Sequence, residues 1–222
     1  MAINRGPNII RDGLVLCMDA ADKNSYPGSG TTWFDLSGNN NNGTLINGPT
    51  FSGGNGGSIV LDGVDDYVSS TSLSSLLLGS TTLTLSIWFY PTNLDTGYAT
   101  LVDSLGRHLS LWIGTNGYGQ WFGLGGASSA YSTNFNWENN KWQIVTIVAD
   151  STSGKIIKNN YEIVESVVKG SSFTNQISFG NNPSAGGKNI SGNYGKILLY
   201  NRDLSASEIQ QNFNATKGRF NL

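Results

Sequence analysis

The chain has 222 residues, 13 of them Lys or Arg and 15 Asp or Glu, giving a formal net charge of −2 with only 13% of residues charged. A near-neutral chain lacks the basic face that phosphate contacts need, which argues against an electrostatic nucleic-acid binder. The one cysteine, Cys17, excludes an internal disulfide and makes a thiolate metal cluster untenable.

In chain order, Met1 to Pro7 carries no apolar stretch, so no secretory leader is expected, and residues 1–12 read as an arm ahead of the first strand. Leu14 to Asp19 is a continuous apolar run, the pattern of a strand buried on both faces. The region from Asn24 to Gly57 is polar and holds two turn-forming clusters, Asn39 to Gly43 and Gly53 to Gly57. Short strands follow at Ser58 to Asp62 and at Tyr67 and Val68. Thr82 to Tyr90 alternates with period two, which puts Leu83, Leu85, Ile87 and Phe89 on one face.

His108 to Ile113 alternates as well, and Lys141 to Ala149 is a further long strand. Between them, Tyr118 to Asn140 mixes Gly and Asn with aromatic residues. Gly195 to Tyr200 reads as the last strand. A short helix then opens with Ser205 as N-cap and Glu208 three residues on, a capping box flanked by the staple pair Leu204 and Ile209. Residues 216–222 read as a tail. Gly, Ser, Asn and Thr supply 99 of the 222 residues, and many fall between apolar bursts. The pattern is that of one all-β sandwich domain over residues 1–222. No run reaches the roughly 18 apolar residues of a membrane span, so membrane insertion is not expected.

Four blocks in order resemble laminin-G-like domains of the concanavalin A-like lectin/glucanase superfamily. They are Gly13 to Leu16 with Asp19-Ala20 and Tyr26 to Asn39; Leu61 to Val68; Leu85 to Thr92; and Gly195 to Ile209. The resemblance implies a jelly-roll sandwich of two antiparallel sheets with one short C-terminal helix. It is similar in its opening to structural proteins of tailed phages. It does not settle function, because the superfamily holds lectins, glycosidases, adhesion modules and virion proteins.

Glycosidase chemistry needs two carboxyls flanking the scissile bond. Glucanases of the superfamily carry them as Glu-x-Asp-x-x-Glu, and the four Glu here, Glu138, Glu162, Glu165 and Glu208, do not form that motif. His108, the sole His, has no nucleophile motif beside it and reads as a surface or interface residue. Laminin-G-like domains often bind calcium through Asp, Asn and backbone oxygens. The matching candidates are Asp35 with Asn39, and Asp62, Asp65 and Asp66. Leu198 stands where many relatives carry an acidic ligand. The same Asp and Asn residues equally suit turns. For sugar recognition, which pairs an aromatic platform with polar side chains, the candidates are Tyr118, Trp121, Tyr131 and Trp137. Trp88, Trp112 and Trp142 are expected in the core or on a sheet face.

The preferred reading is a non-catalytic virion surface protein, either a head decoration or a tail-associated module, with capsid or tail proteins as partners. The alternative is a carbohydrate-binding adhesin for host surface glycans; a glycoside hydrolase ranks below both. Edge strands left by a sandwich make a homo-oligomer reasonable.

Overall fold

The computed structural model describes residues 8–70, 82–94, 99–104, 109–113, 120–124, 127–131, 137–150, 152–159, 161–168, 177–181 and 189–222. In chain order the strands are β1 (Leu14–Asp19), β2 (Thr32–Trp33), β3 (Gly43–Ile46), β4 (Thr50–Ser52), β5 (Ser58–Asp62), β6 (Tyr67–Ser70), β7 (Leu83–Asn93) and β8 (Ala99–Ser104). They continue as β9 (Leu109–Ile113), β10 (Gln120–Leu124), β11 (Ala127–Tyr131), β12 (Gln143–Ala149), β13 (Ser153–Lys158), β14 (Tyr161–Val168), β15 (Ile177–Phe179) and β16 (Ser191–Tyr200). One α-helix, α1 (Ala206–Phe220), follows.

The strands form two antiparallel sheets packed as a sandwich. Sheet A runs β14-β13-β12-β7-β16-β5-β4, and sheet B runs β11-β10-β9-β8-β15-β6-β3-β2. One edge of β16 is shared by two strands. β5 pairs with Ser191 to Tyr194, and β1 pairs with Lys196 to Tyr200. The other edge of β16 pairs with β7, with an irregularity in register between Tyr194 and Lys196.

Alternation decides which residues meet between the sheets. Leu83, Leu85, Ile87 and Phe89 of β7 all lie in the central core, as the period-two pattern predicts, together with Val145 and Ile147 of β12 and Leu109, Leu111 and Ile113 of β9. β1 is buried on both faces. Val15, Leu16 and Met18 join the central core, whereas Leu14 and Cys17 join a second cluster on the outer side of sheet A.

That second cluster exists because α1 covers the outer face of sheet A. Ile209 and Phe220 of the helix pack with Trp88, Ile144, Val148, Leu198 and Tyr200. Fully burying a large apolar side chain contributes roughly 1.5–3 kcal/mol, so this contact is a substantial part of what holds the helix. The capping box is present: the Ser205 hydroxyl accepts from the Glu208 backbone, and the Glu208 carboxylate accepts from the Ser205 N–H at 2.9 Å. Arg202 clamps the same carboxylate with both terminal nitrogens, at 3.0 and 2.6 Å.

Two boundary expectations are corrected. The helix is not short and residues 216–222 are not a free tail, because α1 continues to Phe220, with Thr216 and Phe220 buried. The described part of the arm, residues 8–12, is also docked. The Ile10 N–H donates to Asn212 Oδ1 at 2.8 Å, the Tyr200 hydroxyl donates to the Ile10 carbonyl at 3.0 Å, and Gln211 donates to the Asn8 carbonyl at 2.7 Å. Residues 1–7 lie outside the described residues.

Candidate functional site

Asp35 sits in the loop after β2, where its carboxylate organises backbone. Oδ1 accepts the N–H groups of Cys17 and Ser37, each at 2.8 Å, and Oδ2 accepts the Ser37 hydroxyl at 2.7 Å and the Asn41 N–H at 3.0 Å. Four donors occupy the lone pairs of both oxygens, so this carboxylate does not fit a metal. Asn39 spends its amide on the Leu14 carbonyl and the Ser37 hydroxyl. The pair caps its loop, in keeping with the turn alternative for these residues and not with the calcium one.

Asp62, Asp65 and Asp66 do come together, at the turn joining β5 to β6, with carboxylate oxygens all within 4.8 Å of one another. Asp62 Oδ1 accepts from Val64 at 2.7 Å and from Asp65 at 3.4 Å, and Asp66 Oδ2 accepts the Asp62 N–H at 3.1 Å. Asp62 and Asp65 are exposed and Asp66 is buried. Burial first, and then the Asp62 and Asp65 charges, push the Asp66 carboxyl above its ordinary range. Three carboxylates at this spacing fit part of the oxygen shell of a hard cation, which takes six to eight ligands.

Of the four aromatic candidates, Trp137 cannot join a surface platform. Tyr118 lies outside the described residues, as does His108. Trp121 stands in the β-ladder opposite Trp112 on one side and Ala130 on the other, and Tyr131 stands opposite Gln120. Trp137 is a correction: it is 1% exposed, in the central core, with its ring 5.4 Å from that of Phe89. A ring enclosed in this way offers no face to a ligand. Trp112 is half-buried, and its indole N–H donates to Oδ2 of the fully buried Asp103 at 3.3 Å.

A different place gathers what the sequence candidates do not. On the outer face of sheet A, beside the C-terminal turn of α1, a cleft of about 180 Å³ opens to solvent. It is lined by Ser52, Gly54, Asn55, Ser58, Tyr90, Trp142 and Asn193. Register explains the grouping, because Asn193 of β16 stands between Tyr90 of β7 and Val60 of β5 in the ladders. Trp142, just ahead of β12, places its ring 5.6 Å from the Tyr90 ring with the planes at 56°. Both rings are half-buried. The Asn193 amide donates to the Ser58 hydroxyl at 2.9 Å, which fixes the orientation of its carbonyl oxygen.

The aromatic wall is held from behind. The Trp142 ring packs on Phe220, and Phe220 fills the space above Gly195, where a Cβ would lie 2.5 Å from the Phe ring. The opposite wall is held by Arg219, whose Nε donates to the Asn55 carbonyl at 2.8 Å and whose Nη2 donates to the Gly57 carbonyl at 2.6 Å. Nη1 of Arg219 pairs with Asp19, which also pairs with Lys196 at 3.0 Å. Burial alone pushes the Asp19 carboxyl up, but these two cations more than reverse it and hold it below its ordinary value.

A laminin-G-like family model, described as concanavalin A-like lectin/glucanases superfamily, matches residues 62–210. The chain belongs to this superfamily. Among solved structures, a sialidase from Trypanosoma rangeli in complex with sialic acid is 18% identical with a TM-score of 0.69, over 93% of this chain and 33% of that one. Domain 4 of an extracellular arabinanase from Geobacillus stearothermophilus, in complex with arabinotriose, is 17% identical with a TM-score of 0.67, over 90% of this chain and 98% of that one. The binding domain of Paraclostridial Mosquitocidal Protein 1 is 19% identical with a TM-score of 0.69, over 92% of this chain and 52% of that one. At such identities the likeness is one of fold. The chain spans about a third of the length of the sialidase. A search of curated proteins returns no match.

Proposed function

We propose that the chain is a non-catalytic carbohydrate-binding domain that recognises a glycan through the cleft formed by Tyr90, Trp142 and Asn193. The observation that carries this reading is the cleft itself, open to solvent, with two half-buried rings beside amide and hydroxyl groups. A sugar presents apolar C–H faces and a fringe of hydroxyls, and such a lining supplies an apolar surface for the first and hydrogen-bonding partners for the second. Support of a coarser kind comes from the similar fold of the arabinanase domain, whose structure is a complex with arabinotriose, and from the likeness to a third of a sialidase chain whose structure is a complex with sialic acid.

The absence of hydrolysis is part of the proposal. Glu208 is committed to the helix cap and Arg202, and Glu138 is exposed and paired with Lys141. Glu162 and Glu165 lie on β14. Hydrolysis of any glycan by the wild type, lost in Glu162→Gln or Glu165→Gln, removes this part. Binding is tested on a glycan array with wild type and with Trp142→Ala and Tyr90→Ala. Glycans retained by the wild type and lost by both variants are expected. A well-folded wild type that retains none overturns the reading.

For the setting, we keep the virion surface, with capsid or tail proteins as neighbours, as the proposed location. Its support is the family resemblance of the sequence. Immunogold labelling of particles tests it, and purified particles free of label remove it.

A further inference from the structure

Building on the carbohydrate-binding reading, we infer that the cleft beside the C-terminal turn of α1 takes an uncharged saccharide, one or two sugar units at a time, without a metal ion. Three observations carry this. First, among the described residues that line the cleft, none bears a carboxylate, an ammonium or a guanidinium; the polar groups are amides, hydroxyls and backbone. A sugar that reaches this site meets dipoles and aromatic faces alone. A calcium-bridged mode needs several oxygen ligands with net negative charge, and the cleft supplies no carboxylate.

Second, two cations stand close behind the wall, and both are committed elsewhere. Arg219 directs Nε to the Asn55 carbonyl, Nη2 to the Gly57 carbonyl and Nη1 to Asp19. Lys196 is bound to the other oxygen of Asp19. An acidic sugar is normally held by an Arg fork or an ammonium with donors to spare. Turning Arg219 towards a ligand carboxylate would take from the loop carrying Asn55 the bonds to its Asn55 and Gly57 carbonyls and leave Asp19 with one cation. The arrangement therefore uses its positive charge to build the wall and offers none of it to the ligand.

Third, the donors and acceptors facing solvent here are neutral and complementary to hydroxyls. Asn193 donates to Ser58, and its Oδ1 takes no hydrogen bond from the described residues. The indole N–H of Trp142 likewise has no hydrogen-bond partner among them. A hydroxyl both donates and accepts, so one sugar ring can satisfy both groups where a carboxylate satisfies only the donor. The size sets a limit, since about 180 Å³ lies below the roughly 300–1,000 Å³ of drug-sized sites and leaves room only for a short saccharide segment.

The test is calorimetric titration of the full chain with matched trisaccharides, neutral glucan, galactan, mannan and arabinan forms against sialylated and sulfated ones. Each is measured in EDTA and in excess calcium. The expected result is binding of at least one neutral probe with the same Kd in both buffers, no gain on adding the acidic group, and weakening of roughly tenfold in Asn193→Ala and in Asn55→Ala. Neither residue lies in the core, and because Asn55 holds φ 51°, which Ala disfavours, Asn55→Gly is measured beside Asn55→Ala as the variant that keeps the backbone. Preference for the acidic probe, loss of binding in EDTA, or unchanged affinity in both variants overturns this inference and leaves carbohydrate binding standing. Failure of every probe overturns both.

Discussion

The Phe220 ring lies against the Trp142 ring, with centroids 4.7 Å apart and planes at 54°. Trp142 is thus presented to the cleft by a residue of the last helical turn, and Phe220 is seated in turn by the missing side chain of Gly195. Phe220→Ala is expected to cost about 3–5 kcal/mol of stability. Phe220→Leu is expected to cost less than about 1.5 kcal/mol while still loosening Trp142. Acrylamide quenching of the indole emission separates the two effects. Quenching unchanged in Phe220→Leu would show that Phe220 does not seat Trp142.

Gly195→Ala makes the same point from the sheet side. Its Cβ would meet a ring pinned between helix and sheet, so a loss of about 1–3 kcal/mol is expected, the range for overpacking. Chemical denaturation with the m-value unchanged checks it, and an unaffected midpoint would mean that the ring has room to move.

Trp137 and Trp142 should part company under substitution. Trp137→Ala empties a fully enclosed site and is expected to cost about 3–5 kcal/mol, with any loss of binding following loss of fold. Trp142→Ala is expected to leave a folded domain that no longer binds sugar. Equal destabilisation by both would remove Trp142 from the surface role.

Acid should weaken the helix cap. The Arg202 hydrogen bonds, followed by the Ser205 backbone, lower the Glu208 carboxyl from 4.5 to about 2. A group with a depressed folded pKa contributes stability that is present above its unfolded value and lost as pH falls through its folded value. The contribution is therefore complete above about pH 4.5 and disappears towards pH 2. Glu208→Gln should flatten that part of the stability profile. An unchanged slope in the variant would assign the acid sensitivity elsewhere.

We propose the turn of Asp62, Asp65 and Asp66 as the place for calcium, and not Asp35, whose oxygens are filled by donors. The expected result is a rise in Tm with calcium that Asp65→Asn abolishes. Identical melting in calcium and in EDTA removes the metal from the protein.

The strands of the core were legible because their apolar residues alternate: Leu83 to Phe89 could face only one way, and the Ser205 and Glu208 pair marked the helix start to the residue. The helix end was not, since Thr216 to Phe220 is mostly polar and its burial comes from packing on Trp142 and Trp88, far away in sequence. β10, β11 and β14 carry Gly, Ser or Glu among their apolar residues, which blurs the period. The cleft left one local signal. Tyr90 and Trp142 have the parity of Trp88 and Ile144, opposite to the core residues beside them, so both point outward. That they meet Asn193 depends on strand register across a hundred residues, which no local pattern encodes. The acidic turn is readable because its three residues lie within five positions; the Asp35 loop leaves calcium and turn readings open because its backbone donors are invisible in a sequence.

The sharing of β16 between β1, β5 and β7 has a bearing on how the domain forms. The strand that joins the two halves of sheet A is supplied by residues 191–200, after all fifteen others. Until it emerges during synthesis, β1 has no partner strand among the described residues, and β5 has only the three-residue β4. The apolar residues of β1 and β5 must therefore wait for their main partner while the rest of both sheets can already pair, a non-local contact of the kind that slows folding of β proteins and exposes them to aggregation. A polar, turn-rich chain with few long apolar runs is suited to that wait.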